Sequence, residues 1–464
     1  MRIAQLAPLY ERVPPRGYGG TELAVHQITE ELVRRGHEVT LFASGDSETK
    51  ARLEAPVPFA LWSEEGRRRW TTPEAELAEE VRHVEACFAR SGEFDLIHNH
   101  AGVEGMIAAV GSAVPVLTTH HLAFEPAQDP VFGAYPWWHH ALSAAASLTF
   151  PTPGQLPPIH HGIDVASYPF SERSSGYLLY LGRISPEKGV EYAIEIARRA
   201  DRELVIAGVV QARTAAYGER ILSMVDGRQV RYVGEAGPEE KRRLMAGADA
   251  FLFPIVWDEP FGLVVIESFA CGTPVLAFAA GSAPELIRAG ETGFLAEPGD
   301  DPFAPGAGVD RLAAATKLLD RLSRRRCREE VERRFTVERM VDDYERAYEA
   351  ARSGRPGGRT AGGKVETLAG PVIDDDLPGE AWAVATGELP GGLGPEGAGH
   401  GVPHRPAVRK GPERVDHVDA KPVRGIPPVP PGPADQLSGP IYREEGGEVV
   451  AGVVLDGEEP SSRS

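Results

Sequence analysis

The sequence predicts an α/β protein built from two doubly wound domains of parallel strands, followed by a long segment without a fold. Three observations predict it. Short apolar strand patterns alternate with helical patterns over about the first 350 residues, the alternation starts afresh after Pro169, and the composition changes near Pro356. A chain of 464 residues also suits two domains of common size with additional material.

The first series of patterns places a domain at residues 1–165. It begins with the strand pattern IAQLAP, a glycine loop, a helical pattern with Val25, Ile28 and Leu32 on one face, and the strand pattern EVTLFA. The patterns FDLIHNH and VPVLTTHH continue the series further along. Successive βαβ units of this kind build one parallel, Rossmann-like sheet.

The second series places another Rossmann-like domain at residues 166–335. Its strand patterns are GYLLYLGR, ELVIAG, QVRYVG, DAFLFP and TPVLAF, with helices predicted over 188–200, 238–246 and 262–270. Open parallel sheets bind ligands beyond the carboxyl ends of their strands. We therefore expect two such edges to face each other across a central cleft.

Two further segments follow the second domain. Residues 336–353 carry an apolar stripe at helical spacing, which predicts a helix that packs back toward the first domain. Residues 354–464 are rich in turn-forming residues, with 16 Pro and 21 Gly from Pro356 onward, so we expect a disordered tail there.

Composition excludes several classes of function. The net charge of −19 repels phosphate backbones, so we expect no nucleic-acid partner. No run reaches the roughly 18 apolar residues of a membrane span, and Met1–Tyr10 resembles a first strand more than a signal peptide, so the cytoplasm is the expected location. The basic run Arg321–Arg334 is interleaved with glutamates, which favours a solvated helix face over peripheral membrane contact.

Metal and disulfide sites are not indicated. The three cysteines, Cys87, Cys271 and Cys327, are widely spaced and odd in number, which favours buried apolar residues over a disulfide framework or a zinc motif.

Two loops that follow strands carry groups suited to phosphate. Gly19 and Gly20 stand between the first strand and the first helix, where either an anion-binding loop or a tight turn explains them. In GRISPEKG, Arg183 lies just past a strand end and Lys188 five residues later, so both cations can converge on one diphosphate.

The segment EPFGLVVIE separates Glu259 from Glu267 by seven residues. Phe261 and Gly262 belong to a turn before an apolar helix that begins near Leu263, so Glu259 stands in the loop and Glu267 one turn into the helix. Carboxylates accept sugar and ribose hydroxyls, and the helix N-terminus offers N–H groups to a phosphate. The apolar flanks of Glu267 require a partner for its carboxylate.

These motifs resemble glycosyltransferase family 4, whose members have the GT-B fold. YGGTE, TTHH, HGID, GRISPEKG, EPFGLVVIESFACGTPV and GSAPELI occur in that family's order and spacing over roughly residues 1–350. The resemblance implies retaining transfer of a hexosyl unit from a nucleotide-diphosphate sugar, with a UDP-sugar favoured over a GDP-sugar. It also implies that no cofactor and no metal are required.

The resemblance implies roles for the phosphate-binding loops and the two carboxylates. Arg183 and Lys188 neutralise the leaving diphosphate, and Gly19 and Gly20 lie close to the donor phosphates. Glu259 faces the donor sugar and steadies positive charge as the glycosidic bond breaks. The donor-binding set is completed by Glu267, which holds the ribose hydroxyls, and by Phe261, Gly262 and Leu263.

The family also has a histidine that touches the sugar, in its Thr-x-His pattern. Here that histidine is His121 when counted from Pro115, and the neighbouring His120 leaves the choice open. His161 stands where the family commonly has Asn, in a passage from Leu142 that looks short and proline-rich. Residues Trp137, Trp138 and His139 are expected in a loop, where they either stack on a ligand or cap a core.

Other functions fit the same architecture. A GT-B sugar-nucleotide epimerase would produce free sugar without an acceptor, and a non-catalytic nucleotide-sugar binding protein would use the tail to recruit partners. A dinucleotide dehydrogenase is disfavoured because no Gly-x-Gly-x-x-Gly follows the first strand. The acceptor and the oligomeric state are not written in the sequence.

Overall fold

The computed structural model of the chain describes residues 1–17, 19–124, 131, 138–150, 155–211, 214–298 and 306–353. The segment 354–464, for which the sequence predicts disorder, lies outside the described residues, as does Trp137.

Each lobe of the molecule contains a six-stranded parallel sheet, and both sheets have the same strand order. The first sheet has the order β3-β2-β1-β4-β5-β6, and the second has the order β12-β11-β10-β7-β8-β9. When the strands of the second sheet are counted from β7 and read from the β9 edge, they follow the same order as those of the first sheet. This is the order of a doubly wound dinucleotide-binding sheet. The two Rossmann-like domains expected from the alternating patterns are thereby confirmed.

The strands are short, as parallel strands connected by helices usually are. Their bounds are β1 Arg2–Leu6, β2 Glu38–Phe42, β3 Arg52–Glu54, β4 Leu96–Asn99, β5 Val116–His120, β6 Trp138–Ala141, β7 Tyr177–Leu181, β8 Leu204–Ala207, β9 Val230–Tyr232, β10 Ala248–Phe253, β11 Val275–Phe278 and β12 Gly293–Ala296.

The α-helices cover the sheets. Their bounds are α1 Gly20–Arg34, α2 Glu64–Arg69, α3 Pro73–Phe88, α4 Gly102–Ala109, α5 Ala144–Ser147, α6 Val190–Arg199, α7 Ala215–Ser223, α8 Pro238–Gly247, α9 Leu263–Ala270, α10 Ala283–Leu286, α11 Gly306–Ala315, α12 Arg324–Arg334 and α13 Val337–Arg352. Within the described residues, no helix combines the length and the apolar character that crossing a bilayer requires.

Helix α1 shows how the sequence pattern becomes packing. Val25, Ile28 and Leu32 are fully buried on the face that the periodicity predicts. The helix ends at Arg34, two residues before Gly36, which has a φ of 85° and provides the left-handed turn that a side chain would disfavour.

Strand β6 corrects one expectation. Trp138 and His139 belong to this strand, paired with Leu117 and Thr118 of β5, and are 7% and 0% exposed. The expectation that they lie in a loop is therefore wrong, and of the two roles considered they take the one in the core. A strand rich in His and Trp lacks the aliphatic pattern on which the strand predictions rest, which is why sequence reasoning missed it.

Helix α13 belongs to the core of the first lobe, although it follows the second lobe in the chain. Tyr344 and Tyr348 are fully buried among residues of β1, β4 and α1. The Tyr348 hydroxyl accepts a hydrogen bond from Gln5 Nε2 at 3.2 Å and contacts His98 Nδ1 at 2.7 Å. The last helix of the described chain therefore completes the core of the first lobe.

The two passages between the lobes run side by side. Ile163 N donates to Phe335 O at 2.8 Å, and Ile163 forms an isolated parallel bridge with Thr336. A Cβ on Gly162 would lie 2.1 Å from Thr336 O, so a side chain is excluded at this position. The passages thus meet through a backbone contact that only glycine permits.

We expect Tyr348→Phe to lower the free energy of unfolding by about 1–3 kcal/mol, because the polar atoms of Gln5 and His98 lose their buried partner. Tyr344→Phe is the matched control, since its hydroxyl has only a 3.4 Å contact with Thr119 Oγ1. Denaturant titrations of both variants measure the difference. Equal losses for the two tyrosines would contradict this account.

We expect Gly162→Ala to destabilise the fold by about 1–3 kcal/mol, because the new methyl group meets backbone atoms at Thr336. Gly92→Ala provides the comparison, since a Cβ at Gly92 meets nothing within 4 Å. The midpoint of urea unfolding reports the effect. A Gly162→Ala protein as stable as the Gly92→Ala protein would show that the passages are not in tight contact.

Candidate active site

The loop after β7 carries the two cations predicted to bind diphosphate. Arg183 forms an ion pair with Glu187 at 3.6 Å, and Lys188 ends a single turn of 3-10 helix at Pro186–Lys188. Gly189 follows with a φ of 67°, and a Cβ there would lie 1.9 Å from Pro254 O. The loop is therefore pressed against the end of β10, from which the next motif departs.

Lys188 meets Glu259 directly. The Lys188 ammonium donates to Glu259 Oε2, the Trp257 indole N–H donates to the same oxygen at 2.8 Å, and the ammonium lies 4.7 Å from the centroid of the Trp257 ring. The side chains of Lys188 and Glu259 are 13% and 16% exposed. Two motifs 71 residues apart in the chain thus form one charged group. Trp257 was not predicted, although it stands only two residues before Glu259.

Glu267 is placed apart from this group. It is 2% exposed, and its two carboxylate oxygens each lie 2.6 Å from the ammonium of Lys241. The Tyr168 hydroxyl donates to Oε1 at 2.8 Å. These are the partners that a glutamate with apolar flanks requires. Neither could be predicted locally, because Lys241 and Tyr168 lie 26 and 99 residues away in the chain.

The turn before α9 divides the remaining predicted residues. Phe261 is 2% exposed, and its ring packs near His161 and Phe335 with centroid distances of 5.2 and 6.1 Å. Its side chain therefore lies in the core, so only the backbone groups of Phe261 could contact a ligand. Gly262 precedes the helix with a φ of 86°.

The glycine loop of the first lobe reaches this turn. A Cβ on Gly20 would lie 3.3 Å from Leu263 Cδ1 of the second lobe. Gly19 is needed for packing within its own lobe, since a Cβ there would lie 2.6 Å from Pro15 Cβ and 3.1 Å from Glu22 Oε2. The start of α1 and the start of α9 thus face each other at close range.

Glu22 is a carboxylate beside the glycine loop that sequence reasoning did not consider. It lies in the first turn of α1 and is 5% exposed. Burial raises its pKa to about 7, against the lowering effect of backbone hydrogen bonds at Glu22 and Glu11. The protein therefore holds this group on the border between its neutral and charged forms at neutral pH.

The structure distinguishes the two candidate histidines. His120 ends β5 and stacks on Phe150 at a centroid distance of 4.3 Å, with His139 Nδ1 3.1 Å from its Nε2. His121 follows the strand, and its ring stacks on His161 at 5.4 Å with 19° between the planes. His161 in turn packs on Phe261, so His121 is the histidine that faces the EPFG turn.

His121, itself half-buried, leads into a line of buried polar groups. Its Nε2 lies 2.9 Å from His100 Nδ1, and His100 Nε2 lies 2.9 Å from Gln5 Oε1. Nδ1 of both His121 and His161 has no hydrogen-bond partner among the described residues. The FDLIHNH motif could have indicated this line of polar groups. Residues 98 and 100 occupy alternate positions at a strand end, and alternate side chains of a strand point to the same face of the sheet.

Burial keeps these imidazoles neutral. It lowers the pKa of His121 to about 3, with a smaller effect of His140, and lowers the pKa values of His98, His100 and His161 well below the ordinary value. Neutral imidazoles offer one donor and one acceptor each. His121 is therefore a hydrogen-bonding group at neutral pH and not a source of positive charge.

Two family models match the chain, one in each lobe. The model described as "Glycosyltransferase Family 4" matches residues 18–154, and the model described as "Glycosyl transferases group 1" matches residues 170–329. The second match contains the loops of Arg183, Lys188 and Glu259.

Curated relatives include enzymes of two kinds. The chain is 26% identical over 326 residues to a D-inositol 3-phosphate glycosyltransferase of Mycolicibacterium gilvum, which covers 60% of this chain and 73% of the relative. It is 28% identical over 382 residues to a glycogen synthase of Mycobacterium tuberculosis, with 69% and 86% covered.

Solved structures share the fold. AviGT4, a glycosyltransferase involved in avilamycin A biosynthesis, superposes with a TM-score of 0.57 at 25% identity, covering 76% of this chain and 99% of that one. Anabaena HepE in complex with UDP-glucose superposes with a TM-score of 0.58 at 21% identity, covering 75% and 100%. Family models in both lobes, curated enzymes and shared architecture agree, and the chain belongs to the GT-B glycosyltransferases of family 4.

Proposed function

We propose that this glycosyltransferase transfers a hexosyl unit from a nucleotide-diphosphate sugar, with a UDP-sugar favoured, to an acceptor hydroxyl with retention of configuration. The observation that carries the proposal is the contact between Lys188 and Glu259, with Arg183 in the same loop and Gly20 across from Leu263. The complex of HepE with UDP-glucose supports the choice of the uridine donor.

The diphosphate is the leaving group, so negative charge grows on it as the sugar–phosphate bond breaks. Arg183 and Lys188 are held in one loop by the packing of Gly189 on Pro254. Preorganised cations stabilise such charge in the transition state more than in the ground state. We assign both cations to the diphosphate, and their charge removes the need for a metal ion in this proposal.

Glu259 is assigned to the donor sugar. Its Oε2 already accepts from Lys188 and Trp257, which orients the carboxylate and leaves Oε1 for sugar hydroxyls. A carboxylate so placed also steadies positive charge at the reacting carbon. Retention is inferred from the family, and the fixed orientation of Glu259 suits electrostatic stabilisation on one face of the sugar.

His121 and Glu267 are assigned to hydroxyl groups of the donor. The unpartnered Nδ1 of neutral His121 supplies one hydrogen bond to the sugar. A carboxylate accepts about four hydrogen bonds. Lys241 and Tyr168 make three contacts with Glu267, so one acceptor position is left for the ribose.

We expect Arg183→Ala and Lys188→Ala each to lower turnover by about 10²–10³-fold, because losing one electrostatic partner raises the barrier by roughly 3–4 kcal/mol. Hydrolysis of UDP-glucose without added acceptor measures the effect, and circular dichroism checks the fold. Lys50→Ala is the control, since Lys50 also pairs with a glutamate, at 3.8 Å, but is 82% exposed. Near-normal hydrolysis by either loop variant would refute its assignment.

We expect the dissociation constant for UDP-glucose to rise about threefold to fourfold between pH 6 and pH 8. Glu22 loses its proton as the pH passes about 7 and then repels the donor phosphates with roughly 1 kcal/mol. Isothermal calorimetry across this range measures the affinity, and Glu22→Gln should flatten the profile. A wild-type profile that matches that of the Gln variant would exclude Glu22 from the donor site.

A further inference from the structure

An exposed aromatic pair lies at the end of the first strand. Tyr10 and Trp62 are 37% and 39% exposed, and their ring centroids are 4.9 Å apart with 40° between the planes. Among the described residues, no other aromatic side chain is exposed to this degree. An exposed pair of large aromatic rings requires an explanation, since most such rings of this chain are buried.

The pair is held rigidly. Leu61 N donates to Leu9 O at 2.9 Å and Trp62 N donates to Tyr10 O at 3.0 Å, so the segment of Trp62 runs along the segment that follows β1. Ser63 then caps α2 by accepting from Gly66 N at 2.9 Å. These contacts fix the rings beyond the carboxyl end of β1, which is the edge where parallel sheets bind ligands.

Carboxylates lie near the Tyr10 side chain. Burial raises the pKa of Tyr10, and so do Glu80, which faces its hydroxyl, and then Glu104 and Glu76. Burial also raises the pKa values of Glu80 and of Glu11, the neighbour of Tyr10 in the chain. Acceptor oxygens partly withdrawn from water therefore lie close to the Tyr10 ring.

A cavity of about 360 Å³ is lined by the chain neighbours of both rings, Glu11 and Ser63, while the two rings themselves stand outside its lining. This volume is within the range of small-molecule sites. Arg12, also in the lining, is 8% exposed and pairs with Glu48 at 2.8 Å, while its Nε has no hydrogen-bond partner among the described residues. A buried donor without an acceptor is suited to a ligand oxygen.

The charge of the cavity selects between classes of ligand. Its lining contains two guanidinium groups, Arg12 and Arg16, against four carboxylates. The four are Glu11, Asp46, Glu64 and Glu65. Arg12 is paired with Glu48 and Glu64 with Arg68, which leaves Arg16 against Glu11, Asp46 and Glu65. A phosphorylated ligand would meet excess negative charge here, whereas hydroxyl groups would find acceptors.

We propose that the Tyr10–Trp62 pair and the adjoining cavity bind the acceptor, and that the acceptor is a neutral carbohydrate. The apolar C–H faces of a sugar ring pack on aromatic rings, and its hydroxyls donate to the surrounding carboxylates. The inference rests on the proposed transferase function and extends it to the acceptor. It sets this enzyme apart from its relative named for an inositol phosphate.

The test measures the binding of saccharides to the full chain by saturation-transfer NMR, in the absence of donor. The neutral probes are maltotetraose, cellotetraose and mannotriose, and the anionic probes are glucose 6-phosphate, mannose 6-phosphate and inositol 1-phosphate. We expect at least one neutral probe to bind, its dissociation constant to rise at least fivefold in Trp62→Ala, and Trp62→Phe to retain most of the affinity. Val110→Ala, at a position 65% exposed, should bind as the wild type does.

Three results would overturn the proposal: no binding by any neutral probe, neutral binding that Trp62→Ala leaves unchanged, or tighter binding by an anionic probe. Calorimetry with UDP separates this inference from the donor assignment. We expect Trp62→Ala to bind UDP as the wild type does. If the wild-type protein fails to bind UDP but binds a neutral probe through Trp62, the donor assignment fails and the carbohydrate site stands.

Discussion

The chain passes between its lobes twice, and the relative placement of the lobes depends on the close contact between these passages. Gly162 has no side chain to separate them, and the backbone of Ile163 bonds that of Phe335. A second tie lies nearby, where the Glu285 carboxylate accepts from Ala144 N and Ala145 N at 2.8 and 2.7 Å. With the lobes tied here, the glycine loop of one meets the start of α9 in the other.

The proposed function divides the chemistry between the lobes. It assigns Arg183 and Lys188 of the second lobe to an anionic leaving group, and each cation is balanced by a glutamate in the structure described. The first lobe presents aromatic rings and partly desolvated carboxylates, which suit a neutral ligand. In this proposal the negative charge of the first lobe repels the anionic donor, and the cations of the second lobe would be left unpaired by a neutral acceptor, so each substrate binds on its own side.

Burial determines which polar groups are charged. The line of histidines from His121 to His100 is neutral because desolvation in the core outweighs the benefit of protonation. Glu267 is equally buried, yet it has Lys241 to compensate its charge. The first lobe can therefore pack histidines and the tyrosines of α13 against one another as hydrogen-bonding groups, without placing like charges in its core.

The sequence by itself indicated two parallel-sheet domains, most of their strands and the loops that carry Arg183, Lys188 and Glu259, because alternating apolar patterns and loop motifs are local signals. It did not reveal the short strands β3 and β12, strand β6, whose His and Trp residues lack an aliphatic pattern, helix α3, or the partners of Glu267, which lie far away in the chain. Only the tertiary structure showed what surrounds His120 and His121, since adjacent residues differ in what packs against them. It also brought Tyr10 beside Trp62, because contacts across 52 residues depend on how a loop folds back, and no local pattern records that.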